Sequence, residues 1–339
     1  LNDSNWSIPG SSISPETDRA GQANTDQPTD EIARAVELLR AGGVVGMPTE
    51  TVYGLAGDGF NPRALARIFE VKQRPLYDPL ILHFAEAESA FAVTLAAPQA
   101  ARDLAARFWP GPLTLVLPKR EDVPDLATSG LPKVAVRVPS HPVAQMLLRA
   151  FKGPLAAPSA NRFGRISPTD AAAVRAELGD AVPLVIDGGP CQVGLESTIL
   201  EINAREIRLL RTGGIPVEEI ERVVGPVERA NFAQGSQPLA PGQLAHHYAP
   251  RKPLRLLEGD PPFGTDVGWL AFGAVSRDSV RVVENLSPQG DLREAAANFF
   301  RALRTLDDDP RVKTIYAHRL PASGLGLAIN ERLERAATR

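Results

Sequence analysis

GGVVGMPTETVYGLAGDGFNPRALARIFEVKQRP, residues 42–75, carries the alternation that sets the fold class. Val44–Met47 is a short apolar run leaving a Gly-Gly pair, and it reads as a buried strand. Asn61-Pro62 then opens a helix, because Asn accepts a hydrogen bond from the first turn and Pro sacrifices no needed donor there. Leu65, Ile68, Phe69 and Val71 fall on one face of that helix. Strand and helix in this order, repeated along a chain, make an α/β protein.

The pattern extends both ways. Ile32, Val36, Leu38 and Leu39 predict a helix from Asp30 that stops at Gly42-Gly43. Downstream, strands are expected at Leu80–Phe84, Leu113–Leu117, Val134–Val138, Pro154–Ala157, Pro183–Ile186, Thr198–Ile202 and Ile207–Leu210. Helices are expected at 98–108, 142–151 and 169–178. Residues 30–225 thus read as one domain around a mixed sheet. Residues 226–253 lose periodicity and hold Gln-Gly-Ser-Gln-Pro and Ala-Pro-Gly, which is linker chemistry. Strands at Leu254–Leu257, Gly268–Phe272, Val280–Val283 and Val312–Ala317, with helices at 291–306 and 327–337, give a smaller α/β unit over 254–339. Residues 1–29, rich in Ser, Asn, Asp, Pro and Gly, read as a flexible tail.

Composition narrows the classes. A chain of 339 residues favours two domains, and 43% apolar content suffices for their cores. The net charge of −3 argues against a protein built to wrap nucleic acid. Cys191 is the single cysteine, so no intrachain disulfide forms and a reducing compartment fits. No apolar run approaches the roughly 18 residues of a membrane helix, and no signal pattern opens the chain. The cytoplasm is expected, with no membrane role.

Five polar clusters lie in the connections of the first domain, where strands can aim them into one pocket. Each also has an ordinary reading. Pro48-Thr49-Glu50-Thr51 could line a small polar site or simply cap a strand exit. Lys72 and Arg74 end a helix before Pro75, either turned into a cleft or complementing the helix dipole. Arg74, at a helix end, is expected to be replaceable without loss of the fold. His83 lies on a strand as a ligand or as a satisfied buried group. Lys133 and Arg137 share one strand face about 13 Å apart, a spacing that suits a polyphosphate at one end and a carboxylate at the other. That face could equally be solvated. Ala157-Pro158-Ser159-Ala160-Asn161 with Ser167-Pro168-Thr169, and Glu196-Ser197-Thr198 with Arg211-Thr212-Gly213-Gly214, are phosphate-loop chemistry or plain turns. From Lys119 to Arg165 eight Lys and Arg face three Asp and Glu, an excess that suits an anionic ligand. No Walker, kinase or H-E-x-x-H pattern occurs, and His246-His247 matches no common zinc spacing, so no protein-bound metal is expected.

The order of these clusters is distinctive. PTETVYGL (48–55), KQRPxxxPLILH (72–83), PGPLTLVL (110–117), VAVRVPxH (134–141), APSAN (157–161), SPT (167–169), ESTI (196–199) and LRTGGI (210–215) resemble the Sua5/YrdC family of threonylcarbamoyl-AMP synthases. APGQLAHHYAP (240–250) and GLGLAINERLERAA (324–337) resemble its long, two-domain Sua5 form. The resemblance implies a YrdC-like twisted mixed sheet with helices and a smaller Rossmann-like C-terminal domain. It implies a nucleotidyltransferase that makes threonylcarbamoyl-AMP and pyrophosphate from L-threonine, bicarbonate or CO2, and ATP carrying Mg2+, for tRNA t6A modification at position 37.

By the same resemblance Thr51, His83, Arg137, Ser197 and the Ala157 backbone would surround L-threonine. Arg74, Asp78, Lys133, Ser159, Ser167 and Arg211 would hold ATP, with Tyr248 reaching over it. Lys72 and Arg74 would be the catalytic cations. Relatives often carry Asp-Asn where this chain has Tyr77-Asp78, and Thr at position 133. The product would pass to a downstream threonylcarbamoyl transferase complex; whether tRNA touches this chain is left open. Two rivals compete. An RNA-binding module is opposed by the acidic whole chain, and a carbamoyl-transfer enzyme of related fold would carry further domains.

Overall fold

The computed structural model describes residues 30–203, 206–230, 238–242, 247–259, 262, 264–275 and 280–337. Asp30 and Glu31 open α1 (Asp30–Arg40), where acidic groups complement the positive end of the helix. Ile32, Ala35, Val36 and Leu39 bury its inner face. β1 (Val44–Met47) then pairs antiparallel with β2 (Gly54–Asp58). β2 was not foreseen, because Gly-Leu-Ala-Gly-Asp has neither alternation nor β-branched residues. In α2 (Pro62–Lys72) the Asn61 side chain accepts from Arg63 N, as expected, and Gln73 ends the helix in the left-handed region at φ 53°.

The rest of the large unit follows as β3 (Ile81–His83), α3 (Ala87–Ala92), α4 (Gln99–Phe108), β4 (Leu113–Pro118), α5 (Asp125–Thr128), β5 (Lys133–Arg137), α6 (Pro142–Phe151), β6 (Leu155–Ala156), α7 (Ala171–Leu178), β7 (Thr198–Ile202), β8 (Ile207–Arg211), α8 (Val217–Val224) and β9 (Glu228–Arg229). Nine strands form one mixed sheet in the order β1-β2-β6-β3-β5-β4-β7-β8-β9. The parallel pair β3–β5 sets His83 opposite Arg137. Pro183–Ile186 is not a strand. It makes one bridge, Val185 to Gly46 on β1, between a Pro that lacks a donor and the Gly188-Gly189 turn.

A second sheet, wholly parallel, takes the order β10-β13-β11-β12 from β10 (Leu254–Leu257), β11 (Gly264–Ala271), β12 (Val280–Asn285) and β13 (Thr314–His318). α9 (Leu292–Asp308) and α10 (Leu325–Ala337) complete this unit. Asp291 caps α9 by accepting from Arg293 N and Glu294 N. Its core does not stop at the unit's edge. Val52, Ile166 and Leu195 of the large unit pack with Leu270, Phe299, Phe300 and Leu303. Gly194 allows this closeness: at φ 72° it has no Cβ, which would stand 2.4 Å from the Ala296 carbonyl oxygen on α9. The loops carrying Thr51, Ser167 and Glu196 are thus held against the second unit.

Candidate active site

The polar clusters converge on one partly open pocket. Thr51, Arg74, His83, Arg137, Ala157, Ser159, Ser197 and Arg211 all line it. These eight come from seven separate connections and strand ends, so the sheet does the gathering.

At one side Arg137, at the end of β5, donates to Glu50 Oε1 at 2.6 Å and to the Gly111 carbonyl at 3.3 Å. Glu50 Oε2 is buried without a hydrogen bond among the described residues. The Thr51 and Thr49 hydroxyls share a bond of 2.8 Å. His83 Nδ1 donates to the Ile81 carbonyl. Burial, then the Arg137 charge, pushes its imidazole down to about 3, so His83 is neutral.

At the other side Arg211 donates through Nε and Nη2 to the Ser197 carbonyl and through Nη1 to Pro241. The Ser197 hydroxyl bonds Thr114 at 2.8 Å and accepts from Arg211 at 3.1 Å. This meeting of β8's end with Ser197 requires Gly213: a Cβ there would lie 2.4 Å from Glu196 O and Thr198 N. Arg74 donates to the carbonyls of Asp78 and Pro79 and pairs with the Asp78 carboxylate at 2.9 Å. Its Nη1 makes no hydrogen bond among the described residues, so one end of the fork stays available.

Five expected residues stand elsewhere. Lys72 does not line the cavity: its ammonium, 2% exposed, donates to the Ser159 and Asn161 carbonyls and so shapes the Ala157–Asn161 loop from behind. Burial, then the Arg74 charge, holds it well below the usual lysine range. Asp78 is fully buried as the partner of Arg74 and faces no ligand directly. Lys133 lies at the end of β5 away from Arg137 and pairs with the buried Glu201 on β7, so its charge is neutralised far from the cavity. Ser167 donates to Glu196 Oε1 at 2.6 Å. Tyr248 packs in the second core against Phe300.

Sequence reasoning missed Glu196 and His247 on the cavity wall and Glu50 behind Arg137. Glu50 and Glu196 sit inside quoted motifs, and the signal was there: a carboxylate beside hydroxyls, in loops that elsewhere supply cations. His247 was weighed only as half of a histidine pair without zinc spacing. Burial, with the nearby cations, pushes its imidazole down to about 3, despite Glu196 pulling the other way.

These two buried imidazoles predict a pH response. Both bind a proton near 6.5 when unfolded and near 3 when folded, so the unfolded chain takes up more protons between those values. Stability should be full above about pH 6.5 and fall as pH drops toward 3. Thermal midpoints from pH 7 to 5 check this; a midpoint that rises on acidification contradicts it.

A family model described as telomere recombination matches residues 37–213, more than half the chain. A second, described as the threonylcarbamoyl-AMP synthase C-terminal domain, matches residues 215–338. The chain belongs to the Sua5/YrdC family. The threonylcarbamoyl-AMP synthase of Bacillus subtilis is 40% identical over 94% of this chain and 96% of its own length. That of Pyrococcus abyssi is 39% identical over 90% and 94%. The crystal structure of P. abyssi Sua5 complexed with L-threonine superposes with a TM-score of 0.84 at 38% identity, covering 92% of this chain and 96% of that one. The family expectation, and the α/β architecture that came with it, therefore hold along both units.

Proposed function

We propose that this chain is a threonylcarbamoyl-AMP synthase, a nucleotidyltransferase that converts L-threonine, bicarbonate and ATP to threonylcarbamoyl-AMP and pyrophosphate for tRNA t6A modification. The observation that carries the reading is the cavity itself. Three guanidiniums, Arg74, Arg137 and Arg211, meet the hydroxyls of Thr51, Ser159 and Ser197 in a fold shared with an L-threonine complex.

Arg137 takes the threonine carboxylate through two parallel bonds, with Glu50 fixing its plane. Thr51, neutral His83, Ser197 and the Ala157 backbone complete that end. Arg74, Ser159 and Arg211 take the phosphates of ATP. Bicarbonate takes up a proton and loses water to give CO2, which the neutral threonine amine captures; the C–N bond forms, the amine proton leaves to water, and a carbamate results. A carbamate oxygen then forms a bond to the α-phosphorus as the bond to pyrophosphate breaks. The nucleophile is already an anion, so orientation and charge neutralisation outweigh base catalysis. Among the described residues no group of three or more His, Cys, Asp or Glu could hold a metal ion, and Asp78 is taken up by Arg74. Mg2+ would come with the triphosphate and would neutralise part of its charge. The labile mixed anhydride passes to a transferase. No helix among the described residues is long and apolar enough to cross a membrane.

The test is direct. Pyrophosphate release from ATP, Mg2+ and bicarbonate should require L-threonine. ADP as product, or release indifferent to threonine or bicarbonate, would overturn the reading. Selectivity has a predictable size. A single methyl group separates threonine from serine, worth about 1–3 kcal/mol, so kcat/KM for serine should be about 10- to 200-fold lower and measurable. Complete rejection of serine would point to more than a methyl contact.

A further inference from the structure

The last helix of the second unit reaches into the wall of the site. Three of its residues, Glu331, Arg332 and Arg335, each hold a different strand end or loop of that wall. Glu331 accepts from the Thr212 hydroxyl, and Arg335 donates to the Gly242 carbonyl. Arg332 is the central one, 1% exposed. Its Nε donates to Glu196 Oε2 at 2.7 Å, and its Nη1 donates to the carbonyls of Ala328 at 2.9 Å and Thr212 at 3.2 Å. Its guanidinium lies 5.3 Å from the centre of the Tyr248 ring. Glu196 uses its other oxygen to accept from Ser167. Glu196 and Gly242 both line the cavity.

On the reading that this cavity makes threonylcarbamoyl-AMP, we infer that Arg332 is a positioning residue for the reaction, acting from the second unit through Glu196 and Tyr248. A buried ion pair is a poor source of stability, because desolvation offsets most of its attraction. An apolar pair would join two units as well. What the pair does provide is one fixed place and one fixed charge for a carboxylate of the cavity wall that also accepts from Ser167. With Arg332 present, Glu196 stays ionised with its lone pairs engaged, and its charge steadies the neighbouring Arg211 guanidinium that faces ATP. Tyr248 is placed by the same guanidinium, and its hydroxyl lies beside Gly242: a Cβ there would be 2.9 Å from it.

The charged and titratable groups around Glu196 define the consequence. They are Arg332 from α10, Arg211 from β8, and His247 and Tyr248 from the segment before β10. Burial pushes the Glu196 carboxyl up, while Arg332, then Arg211 and the Ser167 hydroxyl, more than reverse this and hold it below the usual range. His247 is neutral and adds little. Without Arg332, burial regains the advantage and the carboxyl rises. Below its new ionisation Glu196 is protonated, its attraction for Arg211 lapses and activity falls; above it, activity returns.

The experiment compares Arg332→Met, Arg332→Lys and the double variant Arg332→Met with Glu196→Gln in the full chain. Pyrophosphate release is measured from pH 5.5 to 9, alongside thermal midpoints at the same pH values. Arg332→Met should lose about 10²-fold in kcat/KM at neutral pH, the scale of a small misplacement. Its activity should recover toward alkaline pH, and the double variant should show no such ionisation. Arg332→Lys should keep the wild-type pH profile while kcat falls several-fold, since an ammonium restores charge but not the fork. A pH-independent loss in Arg332→Met, or wild-type kcat in Arg332→Lys, would overturn the inference. If Arg332→Met does not fold, the lysine variant alone decides. Thermal midpoints read the Glu196 ionisation without turnover. A wild-type chain that releases no pyrophosphate would therefore sink the proposed reaction separately.

Discussion

Arg74→Ala should lose both turnover and stability, the two losses having different causes. Removing a cation aimed at developing phosphate charge costs about 2–4 kcal/mol of transition-state stabilisation. From its place at a helix end, the residue was expected to be dispensable for folding. The structure corrects that expectation. Arg74 is buried, it supports the Asp78 and Pro79 carbonyls, and it is the ion partner of a carboxylate with no solvent exposure. Burial already raises the Asp78 carboxyl, against the pull of Arg74, Lys72 and Arg211. Breaking a buried pair by removing one member costs about 3–5 kcal/mol, less where the remaining group can take up a proton. A urea midpoint should therefore shift down in Arg74→Ala and recover partly when Asp78→Asn is added. Turnover should not recover in the double variant, because the phosphate cation is still missing. Near-normal turnover in either variant would reduce Arg74 to a structural cation.

The contrast between legible and hidden parts of the site follows from sequence distance. Thr51, Arg74, Arg137, Ser197 and Arg211 could be read because each sits in a short loop or at a strand end, within a motif of family order. His83 opposite Arg137 needed more, since strand parity gives a face but not a neighbour; the β3–β5 register supplies it. Lys133 was misplaced for the same reason. One strand face was identified, but nothing local shows that Glu201, two strands away in the sheet, waits at its far end. Lys72 misled because a lysine beside a phosphate-binding arginine suggests a second phosphate cation. Its long stem instead lets the ammonium reach inward to carbonyls 87 and 89 residues on. Arg332 and Glu196 are 136 residues apart, beyond any pattern a window can detect.

Tyr248→Ala should be among the most destabilising single changes in the chain. Tyr248, in the linker segment 226–253, was expected to reach over ATP. Part of that segment, 231–237 and 243–246, is outside the described residues, but Tyr248 is described and is 1% exposed. Its ring stands 5.6 Å from Phe300, 4.1 Å from His247 and 5.3 Å from the Arg332 guanidinium, within the apolar core that joins the two units. Truncating a buried ring costs about 3–5 kcal/mol, through lost contacts and the cavity left behind. The backbone adds a second signature. Tyr248 sits at φ 64°, the left-handed region that strains any side chain, so Tyr248→Gly should melt no lower than Tyr248→Ala despite having one carbon fewer. Its hydroxyl has no hydrogen-bond partner among the described residues, so Tyr248→Phe should melt close to wild type. The functional effect follows through His247, which lines the cavity and rests its ring edge-on against Tyr248. Freed of that support, His247 no longer closes the wall, water enters, and a mixed anhydride is exposed to hydrolysis. Tyr248→Ala should therefore consume more ATP per threonylcarbamoyl-AMP recovered, while Tyr248→Phe keeps the wild-type ratio. Wild-type melting in Tyr248→Ala would remove the residue from the core, and an unchanged ratio would remove it from the site.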